Sequence, residues 1–333
     1  ILVVALIAAV AEAQTVRQVP SNYPTIQAAI AAAQGGDTVR VWPGTYVENI
    51  NFLGKAITVV SIAGPDVTII DGNAAGPVVT FTTNEGLSSV LEGFTLRNGK
   101  GTSIDGGGIR ISFASPTVRR NQIVKNFACN IAINFGSPLI QSNVIRDNDN
   151  TSGGGSTGGG GILIGGAGSA QILDNTISNN TASRGGGISL WAAGTPLIRG
   201  NIITGNTGGD GGGISMVNFS DAKIIQNVIA GNTASRGGGI YWLVPGGGQH
   251  GPSIISNSII DNNASQQGSG IYADGFDGFT PVRNNLIIGK TGQPAIYCGN
   301  LNDSNPPILE FNNVFTAEAA GYSGSCSDVT GTN

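Results

Sequence analysis

Charge is scarce in this chain. Its 333 residues carry 16 Lys and Arg against 20 Asp and Glu, for a net charge of −4. That inventory builds no basic face, which argues against nucleic acid as the main partner, because phosphate binding needs clustered cations. A single histidine and a single methionine argue against copper or haem handling, since those centres take His, Met or Cys ligands. No apolar run reaches the ~20 residues needed to span a bilayer. No GxxxxGK[ST] occurs, so the glycine runs are not phosphate loops. Only one stretch, residues 20–33, carries a helical pattern, with Ile26, Ala29, Ile30 and Ala33 on one face and Ser21 or Thr25 able to cap it.

What abounds is glycine, at 54 residues. Such content often signals disorder. Here it is interleaved with Ile and Val on a fixed period, which signals order. Residues 175–188, 201–214 and 227–240 repeat at 26 residues, and 257–271 continues the pattern with insertions. Short β-branched runs broken by Gly and Asn at that period mark a solenoid, which grows as one body and overrides the two-domain expectation from length. Two markers track the coils. One is Asn-x-Ile (or Phe) at Asn121, Asn143, Asn175, Asn201, Asn227, Asn257, Asn285 and Asn313. The other is Gly-Ile at Ile109, Ile162, Ile188, Ile214, Ile240 and Ile271. The expected fold is all-β: a parallel β-helix of about ten coils, some 50 Å long, behind a short N-terminal capping helix.

Residues 1–13 read as the remnant of an export signal, an apolar run followed by a small-x-small site at Ala11–Ala13. Residues 14–40 are then the cap with its helix and 41–333 the β-helix, in a secreted or cell-surface protein. Cys298 and Cys326 lie about one coil apart and could bridge in an oxidising compartment, whereas Cys129 reads as a buried filler.

With these features the chain resembles the right-handed parallel β-helix superfamily, the pectate-lyase-like fold, over residues 20–315. The segment PTIQAAIAAAQGGDTVRVWPGTYVENI is similar to the N-terminal cap of secreted members. The GGGI and Asn-x-Ile-x-x-Asn signatures resemble the repeats of polymorphic outer-membrane protein adhesins. The resemblance implies the fold and leaves the activity open, because this fold hosts lyases, hydrolases, epimerases, tailspikes and adhesins. The C-terminal GYSGSCSDVTGTN resembles the middle of a longer pattern, so a further part is expected beyond it.

Most repeated columns read as scaffold. The Asn column suits an internal amide ladder, with Asn also tolerating the left-handed backbone of a tight corner. Three columns vary in a way that could carry binding. Arg184, Asp210, Arg236 and Gln267 precede successive glycine runs, either as a surface charge ladder or as carboxylate forks for acidic sugars. One residue past each Gly-Ile (or Ala-Ile) marker stand Ser189, Ser215, Tyr241, Tyr272 and Tyr297, expected to point outward as an exposed aromatic stripe, with Trp191 on the same face. The lengthened corners at 245–252 and 273–281 place Asp221, His250 and Asp277 at similar points of three coils, with Lys223 and Asp274 close by. A His between carboxylates is the one arrangement that could act in acid–base catalysis.

Tested against the family's activities, the polygalacturonase-like carboxylate motifs are absent, and only Gln249-His250-Gly251 remotely resembles one of that group's signatures. A Ca²⁺-dependent lyase would need an acidic cluster and a base; Asp147 and Asp149 are the densest acidic pair, without a companion basic motif. The regular repeats favour a β-helix that binds polysaccharide or cell-surface glycan, or builds extracellular structure by end-to-end self-association, over a uronate lyase. The varied columns direct the search for binding to the last four or five coils.

Overall fold

The computed structural model of the protein describes residues 14–102, 105–151, 158–246, 251–301 and 303–327. The apolar residues 1–13 and His250 lie outside the described residues. Among the described residues the chain winds into three parallel sheets of 12, 12 and 11 strands, one or two more than the coils expected. The first sheet runs from Val16–Val19 to Ile308–Glu310, the second from Gly44–Val47 to Asn313–Phe315, and the third from Ile50–Asn51 to Tyr322–Gly324. Each full coil visits them in that order.

Period-2 alternation within strands of three or four residues sends one or two apolar side chains inward per strand. Parallel pairing in register then stacks like on like: Ile188 on Ile214 on Ile240 in the third sheet, Ile177 on Ile203 on Ile229 in the second. All are fully buried. Each such side chain contributes roughly 1.5–3 kcal/mol through burial. A slip of one residue would turn the whole set outward, so the isoleucines specify register.

Asparagine closes the corners. Between the first and second sheets, Asn143 Nδ2 donates to Asn175 Oδ1 at 3.0 Å, Asn175 to Asn201 at 3.0 Å and Asn201 to Asn227 at 3.0 Å, and the ladder continues through Asn257 and Asn285. Two details differ from the sequence reading. The left-handed backbone belongs to the residue before each Asn: Asp174 at φ 56°, Gln226 at 56° and Ser256 at 56°. The last rung is Asn312, not Asn313, because Val314 takes the inward position and leaves Phe315 exposed. A second ladder follows the second sheet, in which Asn148 donates to Asn180 at 2.7 Å, Asn180 to Asn206 at 2.9 Å and Asn206 to Asn232 at 3.0 Å.

The helix is shorter than expected, spanning Ile26–Ala32. Thr25 is its cap, with Oγ1 accepting from Ala28 N at 3.1 Å. Glu48 accepts from the Ile26 and Gln27 amides at 2.9 Å each, so a carboxylate meets the helix start. Residues 20–22 form a turn ahead of the helix, and Pro24 directly precedes the cap. Cys298 and Cys326 form the expected disulfide, and Cys129 is buried and free, its thiol pushed up to about 12 by desolvation. No helix among the described residues is long and apolar enough to cross a membrane.

Candidate functional site

On the outer side of the third sheet, the residues that alternate with the inward isoleucines form two columns. One runs Arg110, Ala132, Leu163, Ser189, Ser215, Tyr241, Tyr272 and Tyr297; the other runs Ser112, Asn134, Gly165, Trp191, Val217 and Leu243. Before entering this sheet the chain lays an extra layer across it, including the paired segments Asp149–Asn150 with Thr181–Ala182 and Thr233–Arg236 with the strand ending at Gln267. Gly185 and Gly237, at φ 50° and 60°, turn this layer back onto the sheet. A Cβ on Gly237 would lie 2.9 Å from that of Tyr241, so the layer sits directly on the first column.

The tyrosine stripe therefore forms but is not exposed. Tyr241 and Tyr272 stack at 5.3 Å, and Tyr272 and Tyr297 at 4.9 Å, yet Tyr241 and Tyr272 are only 3% and 7% accessible. Arg236 roofs them, its Cζ 5.1 Å from one ring centroid and 5.3 Å from the next, a cation–π arrangement. Burial pushes the Tyr241 hydroxyl up to about 12. The charged column stands in the expected register, Asp210 beside Arg236 and Arg236 beside Gln267. Arg236 Nε and Nη2 each reach an Asp210 oxygen at 2.8 Å, while Arg184 Nε stays 4.0 Å away. The Asp210 hydrogen bonds raise the Arg236 pKa further. The bidentate fork expected for a sugar carboxylate is thus occupied by a carboxylate of the chain itself.

Asp221 and Asp277 occupy equivalent connections between the third and first sheets, two coils apart, and they share no hydrogen bond among the described residues. Asp277 is buried and accepts from Trp242 Nε1 at 2.8 Å, satisfying the only indole in the core. Burial raises its carboxyl to about 7, against the pull of that bond and helped by the Asp274 charge. Asp274 accepts from the Gly275 and Leu301 amides at 2.9 Å each. Asp147 pairs with Arg146, and Asp149 accepts from Thr151. Among the described residues, no group of three His, Cys, Asp or Glu is placed to hold a metal ion.

The open part of this face lies earlier in the stack, where the outer layer leaves the second column uncovered. A groove of about 480 Å³ runs there, lined by Arg110, Ser112, Phe113, Asn134, Phe135 and Trp191, among others. Phe113 and Phe135 stack face to face, with centroids 5.1 Å apart and planes within 6°. They are 65% and 53% exposed, and Trp191 is 45% exposed. Phe113 and Phe135 sit at left-handed φ of 52° and 53°, where a bulky side chain carries a cost of ~1 kcal/mol or more. On the next coil Gly165 and Gly166 make a dip. A Cβ on Gly166 would come within 2.6 Å of the Phe135 ring, so only glycine lets that ring lie flat there. Trp191 then rises on the far side, paired in register with Gly165.

The family described as Right handed beta helix region matches residues 107–287. The chain belongs to this family. No curated protein and no solved structure matches it. The match to the β-helix family covers the groove residues from Arg110 to Trp191, the Asn ladders as far as Asn285, and the buried tyrosines. Of the residues singled out from the sequence, Trp191 alone lines the groove. Phe113 and Phe135 carried a signal of their own: both stand four residues past the first isoleucine of a third-sheet strand, at the offset where the 162–165 coil has Gly166.

Proposed function

We propose that this protein is an extracellular β-helix that binds polysaccharide along the outer side of its third sheet. The observation that carries the reading is an aromatic track, Phe113 stacked on Phe135, then a two-glycine dip, then Trp191, all solvent-facing on a rigid scaffold. Flat apolar rings suit the apolar faces of sugar rings. Sites built on strands keep their geometry without an ordering cost on binding. The track crosses four strands of one sheet, so its spacing is that of the strands, ~4.8 Å per coil. This suits an extended polymer better than a single sugar. The Cys298–Cys326 disulfide supports an oxidising, extracellular setting.

The test is retention of the intact protein on a panel of immobilised polysaccharides, with Trp191→Ala beside it. The reading expects retention on at least one polymer and its loss in the variant. Equal retention of both proteins would remove this groove from the account. Absorbance from unsaturated products, followed on the same panel with and without Ca²⁺, separates binding from lyase action, and turnover would replace the binding reading.

A further inference from the structure

A second cavity of about 420 Å³ adjoins the groove and shares Asp105 and Arg110 with it. Its walls are the backbone around Ala74–Pro77, together with Lys100, Gly101 and Thr102. The two cavities differ in chemistry. The aromatic one holds Phe113, Phe135 and Trp191; the adjoining one brings Lys100 and Arg110 together with a single carboxylate, Asp105. Asp105 meets Arg110 at Nε, 3.0 Å away, and also accepts from Thr102 Oγ1 at 3.1 Å. Lys100 is exposed and has no carboxylate partner among the described residues. Elsewhere on this face the cations are engaged, Arg236 by Asp210 above all. An excess positive charge at one end of an otherwise apolar groove is thus a local feature of a chain whose net charge is −4.

We infer that the groove takes an anionic glycan in one orientation, with a carboxylate or sulfate between Lys100 and Arg110 and the sugar rings running over Phe135 to Trp191. This rests on the binding reading above and adds the ligand's charge and direction. The strand of Arg110 and that of Trp191 are three strand spacings apart, about 14 Å. One ring cannot span that distance, so the ligand is an oligomer. Asp105 takes only part of the Arg110 guanidinium, whose remaining donors suit a carboxylate or sulfate, and the lysine adds a mobile point charge. Both cations are partly exposed, so the attraction is screened by salt.

The experiment is calorimetric titration of the intact protein with three oligomers of equal length: a uronate, the same uronate fully methyl-esterified, and a sulfated oligomer. The expected result is that at least one anionic oligomer binds ten-fold or more tighter than the ester. That advantage shrinks with added salt and falls to within about two-fold in Lys100→Gln/Arg110→Gln, the ester serving as the reference ligand for each protein. Lys100→Gln alone, at an exposed position, keeps the test open if the double variant folds poorly, and is expected to lose several-fold. Preference for the uronate or for the sulfated oligomer identifies the anion. If the ester binds as tightly as both anionic oligomers, the inference is overturned while the groove stands. If no oligomer binds and Trp191→Ala changes nothing on the polysaccharide panel, the binding reading itself has failed.

Discussion

Replacing Asn201 by alanine tests what holds the coils in register. Asn201 is almost fully buried. Its Oδ1 accepts from Asn175 N at 2.9 Å and Asn175 Nδ2 at 3.0 Å. Its Nδ2 donates to Ile172 O at 2.8 Å, to Asn227 Oδ1 at 3.0 Å and to Arg199 O at 3.1 Å. After truncation Asn175 Nδ2 keeps Ile140 O, Asn227 Oδ1 keeps the Asn201 backbone amide, and Arg199 O keeps the Asp174 amide. The groups left short are the Asn175 amide and the Ile172 carbonyl, in a site too tightly stacked to admit water easily. Two such losses at ~1–3 kcal/mol each place the cost at about 3 kcal/mol. A solenoid opens by neighbouring repeats, so the effect is local and a global melt would dilute it. The assay is amide hydrogen exchange resolved by coil. Residues 172–177 and 198–203 should exchange about a hundred-fold faster than in the parent, the ratio that ~3 kcal/mol implies. Thr204→Ala, on the outer side of the same coil, should stay within ~0.5 kcal/mol of the parent. If both variants exchange alike in these coils, the amide ladder adds nothing beyond the stacked isoleucines, and the reasoning fails.

Two further outcomes follow from the same structure. Asp277 holds a proton in the folded state up to about pH 7 that the unfolded chain releases near pH 4, so its contribution to stability falls as pH rises between those values. Urea denaturation at pH 4.5 and pH 8 should show Asp277→Asn removing a loss of ~3 kcal/mol, with the amide oxygen still able to accept from Trp242; identical pH profiles for variant and parent would contradict this. Gly187→Ala would bring a methyl within 2.6 Å of Gly213 O and 2.9 Å of the Ile203 Cγ2 atom, and should cost ~1–3 kcal/mol by denaturant melt. Gly246→Ala, with nothing within 4 Å, is its neutral control.

The scaffold was legible because each of its residues does one job that repeats. Isoleucine at 188, 214 and 240, asparagine at 175, 201 and 227, and the glycine before each isoleucine recur at the coil period, and each maps to core, ladder or close approach. The disulfide was legible for the same reason, since one coil of separation is one strand spacing in space. Three things were not. The burial of Tyr241 and Tyr272 depends on an outer layer of chain, Thr233–Arg236 and its neighbours, that alternation along a single strand does not reveal. Arg236 reads from the sequence either as a rung of a charge ladder or as a fork for a ligand; the 2.8 Å approach of Asp210 selects the first, and a column of mixed charge is compatible with both. The groove was missed because its parts come from different coils with different residues: Arg110, Phe113 and Phe135, a glycine pair, then Trp191. A search for repetition passes over a site made by the failure to repeat, and it pointed to later coils than those where the face is open.

On the proposed reading, Trp191 and its phenylalanine neighbours form the glycan-binding surface. Trp191 can report on this directly. The chain has three tryptophans; Trp242 is in the core and Trp42 is exposed on another part of the coil. In a Trp42→Phe background, emission from Trp191 should shift and saturate as an oligosaccharide that binds the protein is added, with a midpoint matching the calorimetric affinity. Binding by calorimetry with no change in Trp191 emission would place the glycan elsewhere and contradict the account.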